Sequence, residues 1–259
     1  TVKMTILRCC YLAIVLMPGL LKGIQIGRDL GTTFLTATQI YDVRPIPRKW
    51  LALARTADAK NRFVKSGMIL VTCSGSVGRP ALAYEPHENT LISHDLLRVE
   101  AIDKRYHGWI YAFLHSAQAR AMSTSAKYGH IIKHLETTHL ESLPIPMVSN
   151  DIAADFNRHV QRILDLRNKG YRLTVEAEKH FEQALGSLKV SDWGESGFSV
   201  KASQSFLSGR RRLEASVHNP CVAAIRRQLA KHGIGFSTIA DAGFDVWVPG
   251  RYKRIPAVD

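Results

Sequence analysis

The sequence predicts an α+β protein, a mixed, β-rich globular domain followed by one long helix of the coiled-coil type. Three observations predict it. Apolar residues from Ile152 to Ala184 recur every three or four positions, short β-branched runs broken by Gly, Ser and Pro fill residues 31–99, and Pro144-Ile-Pro146 stands between the two patterns. Recurrence near 3.6 residues marks one helix face, and short apolar runs bounded by turn residues mark strands.

The helical stripe is Ile152, Phe156, Val160, Ile163, Leu166, Gly170, Leu173, Ala177, Phe181 and Ala184. The opposite side carries Asp155, Arg158, Arg162, Asp165, Arg172, Glu176 and Lys179, a solvated surface of mixed sign that supports a helix. A proline pushes its predecessor toward extended backbone, so the helix is expected to begin after Pro146, capped by Asn150 or Asp151, and to stop at Gly186. Roughly 35 residues at 1.5 Å each reach about 50 Å, longer than most globular helices. The stripe is therefore expected to pack on another long helix, with Phe156, Val160, Ile163, Leu173 and Phe181 as packing residues; a plain two-helix core element is the alternative.

With 259 residues, 46% of them hydrophobic, the chain can bury one or two cores. Its formal net charge of +13 and pI near 9.8 favour an anionic partner, most commonly nucleic acid, without separating DNA from RNA or an anionic membrane. Cys9, Cys10, Cys73 and Cys221 form no C-x-x-C pair and no metal-ligand spacing, which reads as reduced thiols in a cytoplasmic protein.

Residues 1–30 read as a poorly defined N-terminal segment. The run from Ile6 to Leu21 is apolar from Cys9 through Met17 and follows Lys3 and Arg8, imitating a signal peptide. It lacks a small-x-small cleavage site and falls short of a ~20-residue membrane span, so a buried strand, or a start that is not native to the fold, is the preferred reading. Residues 31–147 form the predicted globular domain. Within it, Gly31 to Ile40 reads as a strand, and Arg44-Pro-Ile-Pro-Arg-Lys49 as a rigid basic loop able to present Arg44, Arg48 and Lys49 to phosphate, with a solvated surface turn as the alternative.

Met68-Ile-Leu-Val-Thr72 and Ala81 to Tyr84 read as a hairpin around Ser74-Gly-Ser-Val-Gly-Arg79. Its small-residue tip would let backbone N–H groups and the hydroxyls of Ser74 and Ser76 approach a phosphate or a groove, with Arg79 as the charged contact. No Gly-Lys-Ser/Thr follows, so it is not a P-loop. Thr90 to Val99 reads as a strand and Tyr106 to Met122 as a helix whose stripe of Tyr106, Trp109, Ile110, Phe113, Leu114 and Ala117 reads as core. Lys127, Tyr128, His130 and Lys133, grouped beside Gly129, are candidates for charge, hydrogen bonding and stacking with nucleic acid.

After the helix at 148–186, residues 187–209 read as a Gly/Ser-containing linker. In residues 210–259 a short helix is expected with Asn219 as cap, Pro220 in the first turn, Ile225 and Leu229 as its buried side and Gly233 as stop. Phe236 to Val248 reads as a possible strand, and Arg251-Tyr-Lys-Arg254 as a basic tail.

Catalytic patterns are weak. His134-Leu-Glu-Thr-Thr-His139 spaces its histidines five apart, off one helical face, and so fails as a zinc-protease motif. Asn219-Pro220 runs into Cys221-Val222 and not into the Asn-Pro-Pro-aromatic signature of amino methylation. Asp58-Ala-Lys60, with Asp42 upstream, lies in a polar loop and makes a poor half-site for a metal-dependent nuclease. No metal site is expected.

The order of Lys65-Ser-Gly-Met-Ile-Leu with Ser74-Gly-Ser-Val-Gly-Arg79, Tyr106 to Leu114, Lys127-Tyr-Gly and Leu140-Glu-Ser-Leu-Pro-Ile-Pro146 leading into a long helix resembles the DNA specificity subunits of type I restriction-modification systems. The resemblance covers Thr32 to Leu185. Arg212-Leu-Glu-Ala and Arg251-Tyr-Lys-Arg-Ile255 resemble the start of such a family's second recognition domain. Asn150-Asp-Ile-Ala departs from the Glu-Gln pair the family often has at the helix start.

The resemblance implies a non-catalytic target recognition domain that reads half of a split site in double-stranded DNA, and a spacer helix that docks DNA methyltransferase subunits, a restriction subunit and a paired helix. Family members carry two recognition domains, so a half-sized or truncated subunit, or self-pairing through the long helix, is expected. No cofactor is expected on this chain, S-adenosylmethionine being bound by the methyltransferase. A nuclease or methyltransferase in its own right, a truncated relic, and a membrane-tethered or secreted protein resting on residues 6–21 are the alternatives.

Overall fold

The computed structural model describes residues 6–20, 22–125, 134–186 and 218–231, with scattered positions at 199, 201, 203, 235, 237, 239 and 241–245. The chain divides into two compact units, Thr1–Glu176 and Ala177–Asp259. The fold is α+β, as the sequence predicts.

The first unit runs β1 (Ile6–Arg8), β2 (Ala13–Leu16), β3 (Thr32–Leu35), β4 (Lys49–Leu51), β5 (Ile69–Thr72), β6 (Pro80–Leu82), β7 (Leu91–Ile92), β8 (Leu96–Ala101), α1 (His107–His115), α2 (Ala117–Ser125), α3 (Thr137–Glu141) and β9 (Pro144–Pro146), then enters α4 (Asn150–Leu185). The main sheet is antiparallel in the order β2-β8-β5-β6. A second sheet has the order β4-β3-β7, antiparallel at β3/β4 and parallel at β3/β7, and β1 pairs with β9.

The apolar run at β5 follows from burial on both faces. Ile69 and Val71 join Leu97, Val99, Ile110, Leu114, Leu140 and Val160 in the larger core, while Leu70 joins Leu35, Ile40 and Ile92 in a smaller one. Successive side chains of a strand point to opposite faces, so a strand covered on both sides reads as continuously apolar.

The N-terminal run is part of this unit and not a separate segment. Strand β2 lies along the edge of the main sheet beside β8, with Ala13 and Val15 buried and Ile14 and Leu16 exposed, and the Cys9 N–H donates to the Leu143 carbonyl at 2.8 Å. Pairing of β1 with β9 ties its start to the Pro-Ile-Pro exit, whose Pro144 and Pro146 sit on a two-stranded ribbon that tolerates their missing donors.

Three predicted elements are interrupted, each by a polar side chain. The strand expected from Gly31 to Ile40 ends at Leu35, where the Thr36 N–H and hydroxyl both donate to Gln39 Oε1 at 3.0 Å and turn the chain into a 3₁₀ turn at Gln39–Tyr41. The strand expected over Thr90 to Val99 is two strands in different sheets. Buried Arg98 donates to the carbonyls of Ile92, Ser93 and Leu96 and so holds the turn between them, and burial lowers its pKa from the ordinary 12.5 to about 10. The helix expected from Tyr106 to Met122 breaks at Ser116, which is extended and accepts the Ala119 N–H on its hydroxyl at 3.1 Å, capping α2.

Helix α4 has 36 residues and spans about 54 Å. Its first intrahelical acceptor is the Ser149 carbonyl, bound by the Ala153 N–H at 3.0 Å, one residue before the predicted cap; Gly186, at φ 73°, ends it as predicted. The face turned to the first unit carries Ala153, Asn157, Val160, Leu164, Asn168 and Tyr171. Gly108 of α1 lies against α4 so closely that a Cβ there would stand 2.5 Å from the Asn157 nitrogen. Asn157 Oδ1 accepts the Gly108 N–H at 2.6 Å while its Nδ2 donates to the carbonyls of Arg105 at 2.8 Å and Lys104 at 3.2 Å. One amide thereby satisfies an orphan donor at the α1 N-terminus and the turn before it. Further along, Asn168 accepts the Glu85 N–H at 3.0 Å and Arg172 donates to the Glu85 carboxylate at 2.7 Å.

In the second unit, α5 (Pro220–Lys231) begins as predicted, with Asn219 Oδ1 accepting the Cys221 N–H at 2.9 Å; Ile225 and Leu229 are half-buried. The predicted linker at 187–209, Gly233, the tail at 251–254 and nearly all of the predicted strand at 236–248 lie outside the described residues. Among the described residues, no helix is long and apolar enough to cross a membrane.

Candidate nucleic-acid interface

The hairpin tip between β5 and β6 is built around Thr72. Its hydroxyl donates to the Ser76 carbonyl and accepts the Arg79 N–H at 3.0 Å, and its carbonyl accepts the Gly78 N–H at 2.8 Å. Gly75 and Gly78 have φ values of 66° and 76°, a region glycine occupies without penalty. A Cβ on Gly75 would meet nothing within 4 Å, whereas one on Gly78 would stand 3.0 Å from the Ser123 Cβ of α2. Among the described residues, the tip is therefore open at Gly75 and braced against α2 at Gly78.

Arg79 is exposed, and its guanidinium lies 4.2 Å from the centroid of the Tyr41 ring. The Tyr41 hydroxyl donates to the Arg79 carbonyl at 2.8 Å, so ring and guanidinium are held together from both ends. Burial pushes the Tyr41 phenol above its ordinary value, with the Arg79 charge opposing the shift. Such a cation–π contact restrains the guanidinium over the ring face, where its N–H groups can still donate at the edge.

Asp95 completes the site. Its carboxylate accepts the Ser74 hydroxyl at 3.0 Å and the Ser93 hydroxyl at 2.8 Å, and His94 Nε2 stands 3.8 Å from it. Thr36, Thr38, Tyr41, Thr72, Ser74, Ser76, Arg79 and Asp95 line one cleft of about 360 Å³. Beneath it Cys73 donates its thiol to the His94 carbonyl at 3.6 Å; burial first, and the Asp95 charge second, push that thiol up to about 11, so it is not a reactive thiolate.

Of the sequence candidates, Ser74, Ser76 and Arg79 come together at this cleft. Arg48 and Lys49 are exposed and Arg44 half-buried, at the loop leading into β4; Gln39 Nε2 donates to the Ile46 carbonyl at 2.6 Å, tying that loop to the turn that carries Tyr41. Lys127, Tyr128, His130 and Lys133 lie outside the described residues. The described residues on either side of them meet the tip: Ser123 faces Gly78, and His134 forms a backbone bridge with Ser74.

Tyr41, Thr36, Thr38 and Asp95 were not predicted. Their signal was slight: hydroxyl residues just past a strand, and a Ser-His-Asp turn between two short strands.

On α4, Val160 is 4% exposed, and Phe156 and Ile163 are half-buried against the first unit, Phe156 meeting the Trp109 ring edge-on at 5.0 Å. Leu173 and Phe181 are 53% and 64% exposed, and Ile152 and Leu166 are exposed too. The predicted stripe is thus largely uncovered, because the polar pair Asn157 and Asn168, roughly 100° or more around the helix from its centre, turns a different face to the rest of the first unit, bonding the α1 N-terminus and the turn at Glu85.

Other predicted chemistry has a structural role. Asp58 accepts the Gly19 N–H at 3.2 Å and the Asn61 side chain at 2.6 Å, and His139 accepts the Glu136 N–H at 3.0 Å. Among the described residues, no group of three or more His, Cys, Asp or Glu is placed to hold a metal ion.

No family model matches the chain, and no curated protein matches it. Among solved structures it is similar to the type I restriction-modification system S subunit from M. genitalium, at a TM-score of 0.44 and 18% identity over 73% of this chain and 47% of that one. It is similar to the HsdS subunit from Thermoanaerobacter tengcongensis, at 0.44 and 17% over 71% and 44%. It is also similar to a chain from a structure concerned with complex assembly and conformational transition of the type I R-M system, at 0.42 and 15% over 71% and 44%. The chain spans less than half the length of these solved chains.

Proposed function

We propose that this chain is a non-catalytic DNA specificity subunit of the type I restriction-modification kind, reading duplex DNA on behalf of a partner methyltransferase. The observation that carries the proposal is the open, braced hairpin tip bearing Arg79 stacked on Tyr41. Backbone donors and short hydroxyl side chains in a turn at the end of a sheet can approach a groove closely, and a preorganised guanidinium is suited to base edges and phosphates alike. The net charge of +13 supports an anionic partner, and the exposed stripe of α4 supports a helical one, either a second copy of this chain or a subunit docked on it. In this reading the methyltransferase subunits bind S-adenosylmethionine, a restriction subunit joins the assembly, and the complex acts in the cytoplasm.

The test is co-expression of the chain with the methyltransferase subunits encoded beside it, followed by selection from random duplexes at fixed salt. Co-purification together with enrichment of a defined motif is expected. A chain that neither co-purifies nor enriches any sequence refutes the proposal and returns the stand-alone enzyme to consideration.

A further inference from the structure

The cleft under the hairpin tip holds both a cation and an anion, and that pairing restricts its ligand. Arg79 offers the donors of a guanidinium held over the Tyr41 ring. The Asp95 carboxylate has acceptor capacity beyond the two hydroxyls of Ser74 and Ser93. A phosphate drawn to Arg79 would enter a cleft lined by a carboxylate, and like charges in a confined site repel. A base pair edge presents donors and acceptors side by side without net charge. Arginine pairs bidentately with guanine O6 and N7, and a carboxylate accepts from an exocyclic amine such as cytosine N4.

We infer that this cleft is a base-reading site, with Arg79 addressing a guanine and Asp95 an exocyclic amine of a neighbouring or paired base, and that it is not a phosphate cradle. The inference rests on the DNA-binding reading above and assigns that reading its specificity-determining residues. Ser74 and Ser93 are positioning residues, each holding one carboxylate oxygen of Asp95. Tyr41 positions Arg79.

The experiment uses the full chain and measures binding to a selected duplex and to its single-position variants over a series of salt concentrations. Parent protein, Arg79→Lys, Arg79→Ala and Asp95→Asn are compared after thermal melts establish that each is folded. For the parent, replacing one guanine is expected to weaken binding about 5- to 150-fold, the range for a good bidentate contact. Arg79→Lys keeps the charge and loses the fork; it is expected to abolish most of the discrimination at that guanine while the other positions and the salt slope stay as in the parent. Asp95→Asn is expected to relax discrimination at one adjacent or paired base.

If Arg79→Lys binds every duplex as the parent does, or if Arg79→Ala weakens all duplexes alike with a salt slope lower by about one, Arg79 touches phosphate. Either result overturns the inference while leaving DNA binding intact. A parent chain that binds no duplex overturns both. Should Asp95→Asn fail to fold, the two Arg79 variants decide the matter alone.

Discussion

Gly108→Ala is expected to be the most damaging single-methyl addition in the first unit. The new Cβ would stand 2.5 Å from the Asn157 nitrogen and the Phe156 carbonyl carbon and 2.6 Å from the Phe156 oxygen, all backbone of α4. Carbon atoms pack best at about 3.5–4.0 Å, so α1 and α4 must separate by roughly 1 Å. A helix backbone cannot swing aside as a side-chain end does, which puts the cost toward the upper part of the ~1–3 kcal/mol range for overpacking. The same movement pulls the Gly108 N–H off Asn157 Oδ1, adding about 1 kcal/mol, and alanine's better helix propensity returns at most about 1 kcal/mol. The net loss is about 2–3 kcal/mol, equivalent to a melting temperature lower by roughly 5–10 °C for a unit of this size. Urea and thermal unfolding followed by circular dichroism measure it. Gly27→Ala is the control, since a Cβ there meets nothing within 4 Å. Equal stabilities for Gly108→Ala, Gly27→Ala and the parent would refute the argument that α1 and α4 meet backbone to backbone.

Three further outcomes are expected. Asn157→Ala removes one acceptor and two donated bonds at the same crossing and costs about 1–2 kcal/mol in urea unfolding; Asn157→Asp keeps the acceptor, sets a carboxylate against two carbonyls, and is no better than alanine. His87 is fully buried, and burial first, then the Arg167 charge, lowers its pKa from 6.5 to about 4. The unfolded chain therefore takes up this proton before the folded one, and stability present above about pH 6.5 is lost as pH falls toward 4, by about 3 kcal/mol in total; His87→Gln, which does not titrate, flattens that dependence, and an unchanged slope would show that the proton goes elsewhere. Leu173→Glu with Phe181→Glu leaves the melting temperature within about 2 °C, because both side chains are exposed, and shifts any self-association seen in sedimentation velocity toward monomer; an unchanged association state would remove the stripe from the interface.

The sequence by itself determined the elements whose signals lie within a few residues. The long helix and its glycine stop, the hairpin with its Gly-Ser tip, the Pro-Ile-Pro exit and the Asn219 cap follow from period, capping and backbone freedom, and these rules act over one turn or one strand pair. Only the tertiary structure decided what each element faces. The apolar stripe of α4 marks a helix correctly, yet Asn157 and Asn168 choose the face that meets the first unit, by bonds to residues 49 and 83 positions away. The N-terminal run reads as ambiguous alone and becomes an edge strand because β8 offers it a partner. Tyr41 and Asp95 reach the tip for the same reason: hydrogen bonds to Arg79 and Ser74, 38 and 21 positions away, bring a ring and a carboxylate to a cleft that no local pattern records.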